Sequence, residues 1–184
     1  MRPSMTDIHY SGEILKLFHR TPALKGRIEY VIRSYFPEIQ SVSVGRASKN
    51  AYYDPRNHTV RLTGNSSVYV IGHELMHYLQ DGHAFPGNKG IYPKGERACD
   101  LYLFARSPDL VADFWQSYDG SYIGSAIRVD ALRKYFTREE GREMVHRVCA
   151  EAVALREKGK HGYIRWAERT INSEIAKKRY GDRP

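Results

Sequence analysis

The stretch Ser67–Gln80, SVYVIGHELMHYLQ, decides the reading of the whole chain. Val68, Ile71, Leu75 and Leu79 recur at the three- and four-residue steps of one helix face, a stripe that packs against a core. Asn65, Ser66 and Ser67 stand just ahead of it, with side-chain oxygens suited to accept from the first N–H groups of a helix. Gly82 stands just beyond it and tolerates the left-handed backbone in which helices end. The spacing predicts a helix running to about Gln80. Opposite the stripe, His73 and His77 lie one turn apart on one face, and Glu74 sits about 100 degrees round from His73.

Those three residues form an HExxH sequence. Two imidazoles one turn apart can both reach a tetrahedral zinc ion at about 2.0–2.1 Å. Glu74 is displaced from the ligand pair, so it can address a metal-bound water instead of the ion. Zinc brings that water's pKa toward about 7 and a carboxylate takes the proton, which is the chemistry of metal-assisted hydrolysis. An HExxH arises by chance in a chain with 8 His with probability on the order of 2%, so the packed back of the helix is what strengthens the motif.

Two imidazoles do not complete a catalytic zinc site, which expects a third protein ligand and one position for water. Glu96 follows downstream and Asp100 stands four residues after it. On a helix they share a face, so Glu96 can bind the metal while Asp100 reaches a ligand imidazole, fixing its tautomer and raising its basicity. Leu101, Leu103, Phe104 and Ala105 just beyond predict that this helix is buried.

Outward from the motif, helices dominate. A first helix is expected from about Ser11 to His19, and Thr21–Pro22 reads as N-cap and first residue of a second. Leu24, Ile28, Val31 and Tyr35 follow at helical spacing until Phe36 and Pro37. Gln40–Val44 alternates as a half-buried strand does. Ala51–Tyr53 and Thr59–Thr63 read as a hairpin around the turn Asp54-Pro55-Arg56-Asn57. After the two motif helices, Asp109–Tyr118 and Ser125–Phe136 are predicted helical, around a loop at Asp119-Gly120-Ser121. Thr137 and Glu140 form a capping box for a long helix with Met144, Val148, Ala152 and Leu155 on one face. A last helix carries Ile164, Ala167, Ile171 and Ile175. This order predicts an α+β fold with a small sheet.

Composition bounds the rest. At 184 residues and 21.2 kDa the chain suits one domain, expected as a core over residues 1–118 and a helical part over 119–184. With 41% hydrophobic and 27% charged residues it reads as globular, not disordered. No apolar run approaches the roughly 18 residues of a membrane span, and the N-terminus has no apolar signal core. Cys99 and Cys149 have no CxxC partner, which excludes a disulfide framework or a thiolate-dominated zinc site. They read as small buried residues, and a reducing, cytoplasmic location is expected. The net charge of +8 attracts acidic partners, nucleic acid among them, though the densest cluster, Lys177-Lys178-Arg179, also suits a solvated helix end.

HExxH followed about twenty residues later by ExxxD resembles the gluzincin branch of zinc metallopeptidases, most of all small single-domain gluzincins and ImmA/IrrE-type proteases. Upstream, Asn50-Ala51-Tyr52-Tyr53 is similar to the Asn-Ala-aromatic segment of the edge strand in thermolysin-type enzymes. The resemblance covers about Asn50 to Asp109. It implies a zincin-like fold, Zn2+ held by His73, His77 and Glu96, general-base catalysis by Glu74, and Asp100 supporting from behind. It also implies a peptide or protein substrate laid along Asn50 and Ala51. One rival ligand set stands beside it. His83 occupies the last position of HExxHxxGxxH, the metzincin motif, but Gln80 fills its Gly position and Gly82 comes two residues late. The third ligand is therefore Glu96 or His83, with Glu96 expected. Tyr122, His161 and Tyr163 are open candidates for stabilising an oxyanion, and the loop His83–Lys94 for covering a cleft.

Three functions follow: a zinc peptidase; a nucleic-acid-associated regulatory metalloprotease, suggested by the basic charge; and a basic binding module with a structural metal. Glu74 and the open coordination position favour the first two. Whether residues after Gly159 fill the cleft, and how many copies associate, is left open by the sequence.

Overall fold

A computed structural model of the chain describes residues 6–82, 91–117 and 129–181. It is a mixed α+β structure of four strands and eight helices among those residues. They cluster into two compact units, Met1–Lys94 and Gly95–Pro184.

The first unit opens with β1 (Asp7–Tyr10), α1 (Gly12–Arg20) and α2 (Pro22–Tyr35). Ser11 caps α1 by accepting from the Ile14 N–H at 3.4 Å. Pro22 starts α2 as expected, whereas the Thr21 side chain makes no cap hydrogen bond. The buried face of α2 is Leu24, Ile28, Val31 and Ile32. Tyr35, expected on that face, instead shares a hydrogen bond with the Tyr30 hydroxyl at 2.8 Å. Then come β2 (Ser41–Arg46), β3 (Tyr52–Asp54), β4 (Thr59–Leu62) and α3 (Val68–Asp81).

The sheet order is β1-β2-β4-β3. β1 and β4 both run parallel to β2, and β3 runs antiparallel to β4 with Tyr53 opposite Val60. The expected hairpin is therefore present, and its second strand is the interior one. β3 is left at the sheet edge. Parallel neighbours need a crossover, and α1 with α2 supplies it between β1 and β2. The alternation Val42, Val44 and Val60, Leu62 turns one sheet face into the core, where α3 packs on β4 and β3 and also meets α2. Full burial of side chains such as Ile28, Ile71 and Leu75 contributes about 1.5–3 kcal/mol each.

The second unit is helical: α4 (Glu96–Phe104), α5 (Pro108–Ser117), α6 (Val129–Tyr135), α7 (Arg138–Glu157) and α8 (Tyr163–Tyr180). The capping box at Thr137 and Glu140 is present in both its hydrogen bonds. α7 buries Met144, Val145, Val148, Cys149 and Ala152, and α8 buries Ala167, Ile171 and Ile175. At Gly141, α7 passes so close to Trp115 that a Cβ there would stand 2.1 Å from the indole. Cys99 and Cys149 are both buried, and neither is in a disulfide. Among the described residues, no helix is long and apolar enough to cross a membrane. The expected loop at 119–121, Tyr122, His83 and the start of the Ser125–Phe136 helix lie outside the described residues.

Candidate metal centre

α3 forms for the reasons its sequence suggests. The Ser67 side chain accepts from the Val70 N–H at 3.3 Å, and Gly82 ends the helix with φ at 77°. Nearly the whole barrel of the helix is buried, including Tyr69, Ile71, Leu75, Met76 and Leu79, while His73 and His77 are half-buried.

The two imidazoles face one another. Their Nε2 atoms are 3.1 Å apart and their rings meet edge to face with centroids 4.7 Å apart. Two nitrogens bound to one tetrahedral zinc at about 2.0–2.1 Å stand about 3.3 Å from each other. The observed spacing is thus close to that of a ligand pair. The far ring nitrogens have partners on the same helix. His73 Nδ1 lies 3.4 Å from the Tyr69 hydroxyl, and His77 Nδ1 lies 2.9 Å from Gln80 Oε1. Gln80 Nε2 in turn donates to the Pro93 carbonyl at 2.7 Å. Tyr69 and Gln80 were not marked by the motif. The signal that finds them is their position four residues before one ligand and three after the other, where helical side chains meet.

Glu74 is buried, at 8% exposure, on the turn that carries the two histidines. A second polar cluster closes the end of α3. The Tyr53 hydroxyl donates to Asp81 Oδ2 at 2.7 Å and lies 3.1 Å from His58 Nδ1, which is itself 3.3 Å from Asp81 Oδ2. Burial first, and then the Asp81 carboxylate, raise the Tyr53 pKa well above its ordinary value, so the hydroxyl stays a donor. Tyr78 donates to the Ser41 carbonyl at 2.7 Å. These bonds hold α3 against both β3 and β2.

Asn50, exposed, ends a bend, and Ala51, half-buried, links it to β3, which begins at Tyr52 rather than at Ala51, so the two residues precede the edge strand expected to include them. In the second unit, Glu96 is the first residue of α4 and is exposed, while Asp100, one turn on, is buried at 5% exposure. The structure therefore gathers His73, Glu74 and His77 on α3, and Glu96 and Asp100 on α4. Cys99 lies beside Asp100 in sequence and is fully buried. Burial, and secondarily the Asp100 charge, push the Cys149 thiol far above its ordinary pKa, so that cysteine is an inert packing residue. Of the open oxyanion candidates, His161 is exposed. Tyr163 is half-buried, with its pKa raised by that burial.

No protein-family model, curated protein or solved structure matches the chain.

Proposed function

We propose that the chain is a zinc-dependent peptidase with a zincin-like catalytic fold, in which His73, His77 and Glu96 hold the ion and Glu74 is the general base. The observation that carries this reading is the pair of Nε2 atoms 3.1 Å apart on the same turn as a buried carboxylate. A bound zinc ion supplies Lewis acidity and brings the pKa of water toward about 7. Glu74 is the chain's own means of moving the proton: its carboxylate takes one from the attacking water and returns it to the departing amine. Asp100 is proposed to support the ligand set from behind.

The substrate side of the proposal rests on β3. An extended peptide added to an edge strand gains main-chain hydrogen bonds, and Asn50 and Ala51 stand at the start of that edge. The substrate is accordingly proposed to be an unfolded or loop segment of a protein.

The test is cleavage of a denatured protein by the full chain, with and without chelator, beside Glu74→Gln. The substitution keeps the shape of the side chain and removes the base, so activity should fall by about 10²–10⁴-fold. Hydrolysis that survives Glu74→Gln overturns the mechanism. Chelation that melts the fold of a chain with no hydrolytic activity would favour a structural metal.

A further inference from the structure

We infer that Gln80 is a positioning residue of the metal pair: its side-chain amide, oriented by the Pro93 carbonyl, holds His77 as the Nδ1–H tautomer and presents its Nε2 lone pair toward His73. The metal-binding part of this inference rests on the zinc reading above; the tautomer part does not.

The argument runs on which atoms can donate. A backbone carbonyl only accepts. The Gln80 atom 2.7 Å from the Pro93 oxygen must therefore be the amide nitrogen, which settles the orientation of the amide. Its oxygen then faces His77 Nδ1 at 2.9 Å. An amide oxygen also only accepts, so Nδ1 must carry the proton. A neutral imidazole has one N–H, so Nε2 is left with its lone pair, and that is the atom 3.1 Å from His73 Nε2. The opposite tautomer would set two acceptors against each other at 2.9 Å around a Gln80 that is only 7% exposed, where water cannot relieve the repulsion. His73 completes the pattern. Its Nδ1 meets a hydroxyl, which both donates and accepts, so Tyr69 by itself selects neither His73 tautomer, whereas Gln80 fixes that of His77.

The consequence is a link between the metal helix and the chain that follows it. The Pro93 carbonyl lies 13 positions beyond Gln80, so the orientation of a ligand on α3 is set by backbone that is not part of the motif. Gln80 also stands where a metzincin places glycine; here the side chain at that position has a task that glycine cannot perform.

The experiment uses the full chain labelled with ¹⁵N-histidine, stripped of metal and held at about pH 8, where imidazoles are neutral. Long-range ¹H–¹⁵N correlations should report His77 as Nδ1–H. Gln80→Met, similar in volume and without an amide acceptor, should shift His77 toward Nε2–H and weaken cobalt(II) binding by about 10–100-fold. Gln80→Glu, whose carboxylate accepts from Nδ1–H but cannot donate to the Pro93 carbonyl, should restore the Nδ1–H tautomer without restoring the full affinity. The inference is overturned if wild-type His77 is Nε2–H, or if Gln80→Met leaves both tautomer and affinity unchanged. If the tautomer responds as stated but the wild-type chain takes up no cobalt, the positioning by Gln80 stands and the zinc reading falls.

Discussion

Tyr53 on the edge strand donates its hydroxyl proton to Asp81 Oδ2 at 2.7 Å, joining β3 to the last residue of the helix that carries His73 and His77. The bond is partly buried, its acceptor is a carboxylate, and His58 stands on the same oxygen. Tyr53→Phe should therefore destabilise the first unit by about 1.5–3 kcal/mol, the usual range for a hydrogen bond to a charged group. Urea unfolding measures it; a midpoint equal to that of the wild type would show the bond to be energetically idle.

Gly141→Ala should be costly for a different reason. The new methyl would stand 2.1 Å from the Trp115 ring, far inside contact distance, so the indole or the helix must move. Overpacking of this kind costs about 1–3 kcal/mol. Trp115→Phe in the same chain should recover part of that loss, because the smaller ring vacates the space. A double-mutant cycle reads the coupling, and additive effects would contradict the packing described.

Stability on the acid side should depend on Glu140. Its carboxyl is held down to about 2 by a hydrogen bond from Lys178, and then by the Thr137 backbone and side chain of the capping box. A folded-state pKa below the unfolded value of about 4.3 stabilises the fold above that value. The contribution is lost as pH falls through the interval down to about 2. Glu140→Gln should lower the melting temperature near neutrality, where the carboxylate's contribution is fully present, and flatten its fall with pH in that window. Added salt should shrink the effect, since the pair is exposed. An unchanged acid limb in the variant would refute the assignment.

Much of this architecture is legible from the residues. α3 announces itself because stripe, cap and terminating glycine agree, and the Thr137–Glu140 box does the same for α7. β1 escapes because its four residues offer only Ile8 and Tyr10 to a half-buried face, too little alternation to separate a strand from the helix that follows. The edge position of β3 depends on which strand β2 selects as a neighbour, a long-range choice that no local pattern encodes. At the site, the HExxH spacing places both histidines on one face, and their facing Nε2 atoms follow from helix geometry. Gln80's place three residues after His77 is legible, but the orientation of its amide is not, because that depends on a carbonyl supplied by Pro93.

The identity of the third ligand separates the two ligand sets that the motif permits. Glu96→Ala should abolish stoichiometric zinc retention while His83→Ala leaves it nearly intact. The reverse result assigns the position to His83.

The most direct test of the account is the zinc content of the purified full chain by elemental analysis, beside His73→Ala and His77→Ala. One zinc per chain, removed by chelator, regained on titration and missing from both variants, is the expected result. A folded wild-type chain that carries no zinc and takes up none when it is supplied would contradict the metal centre and the peptidase built on it.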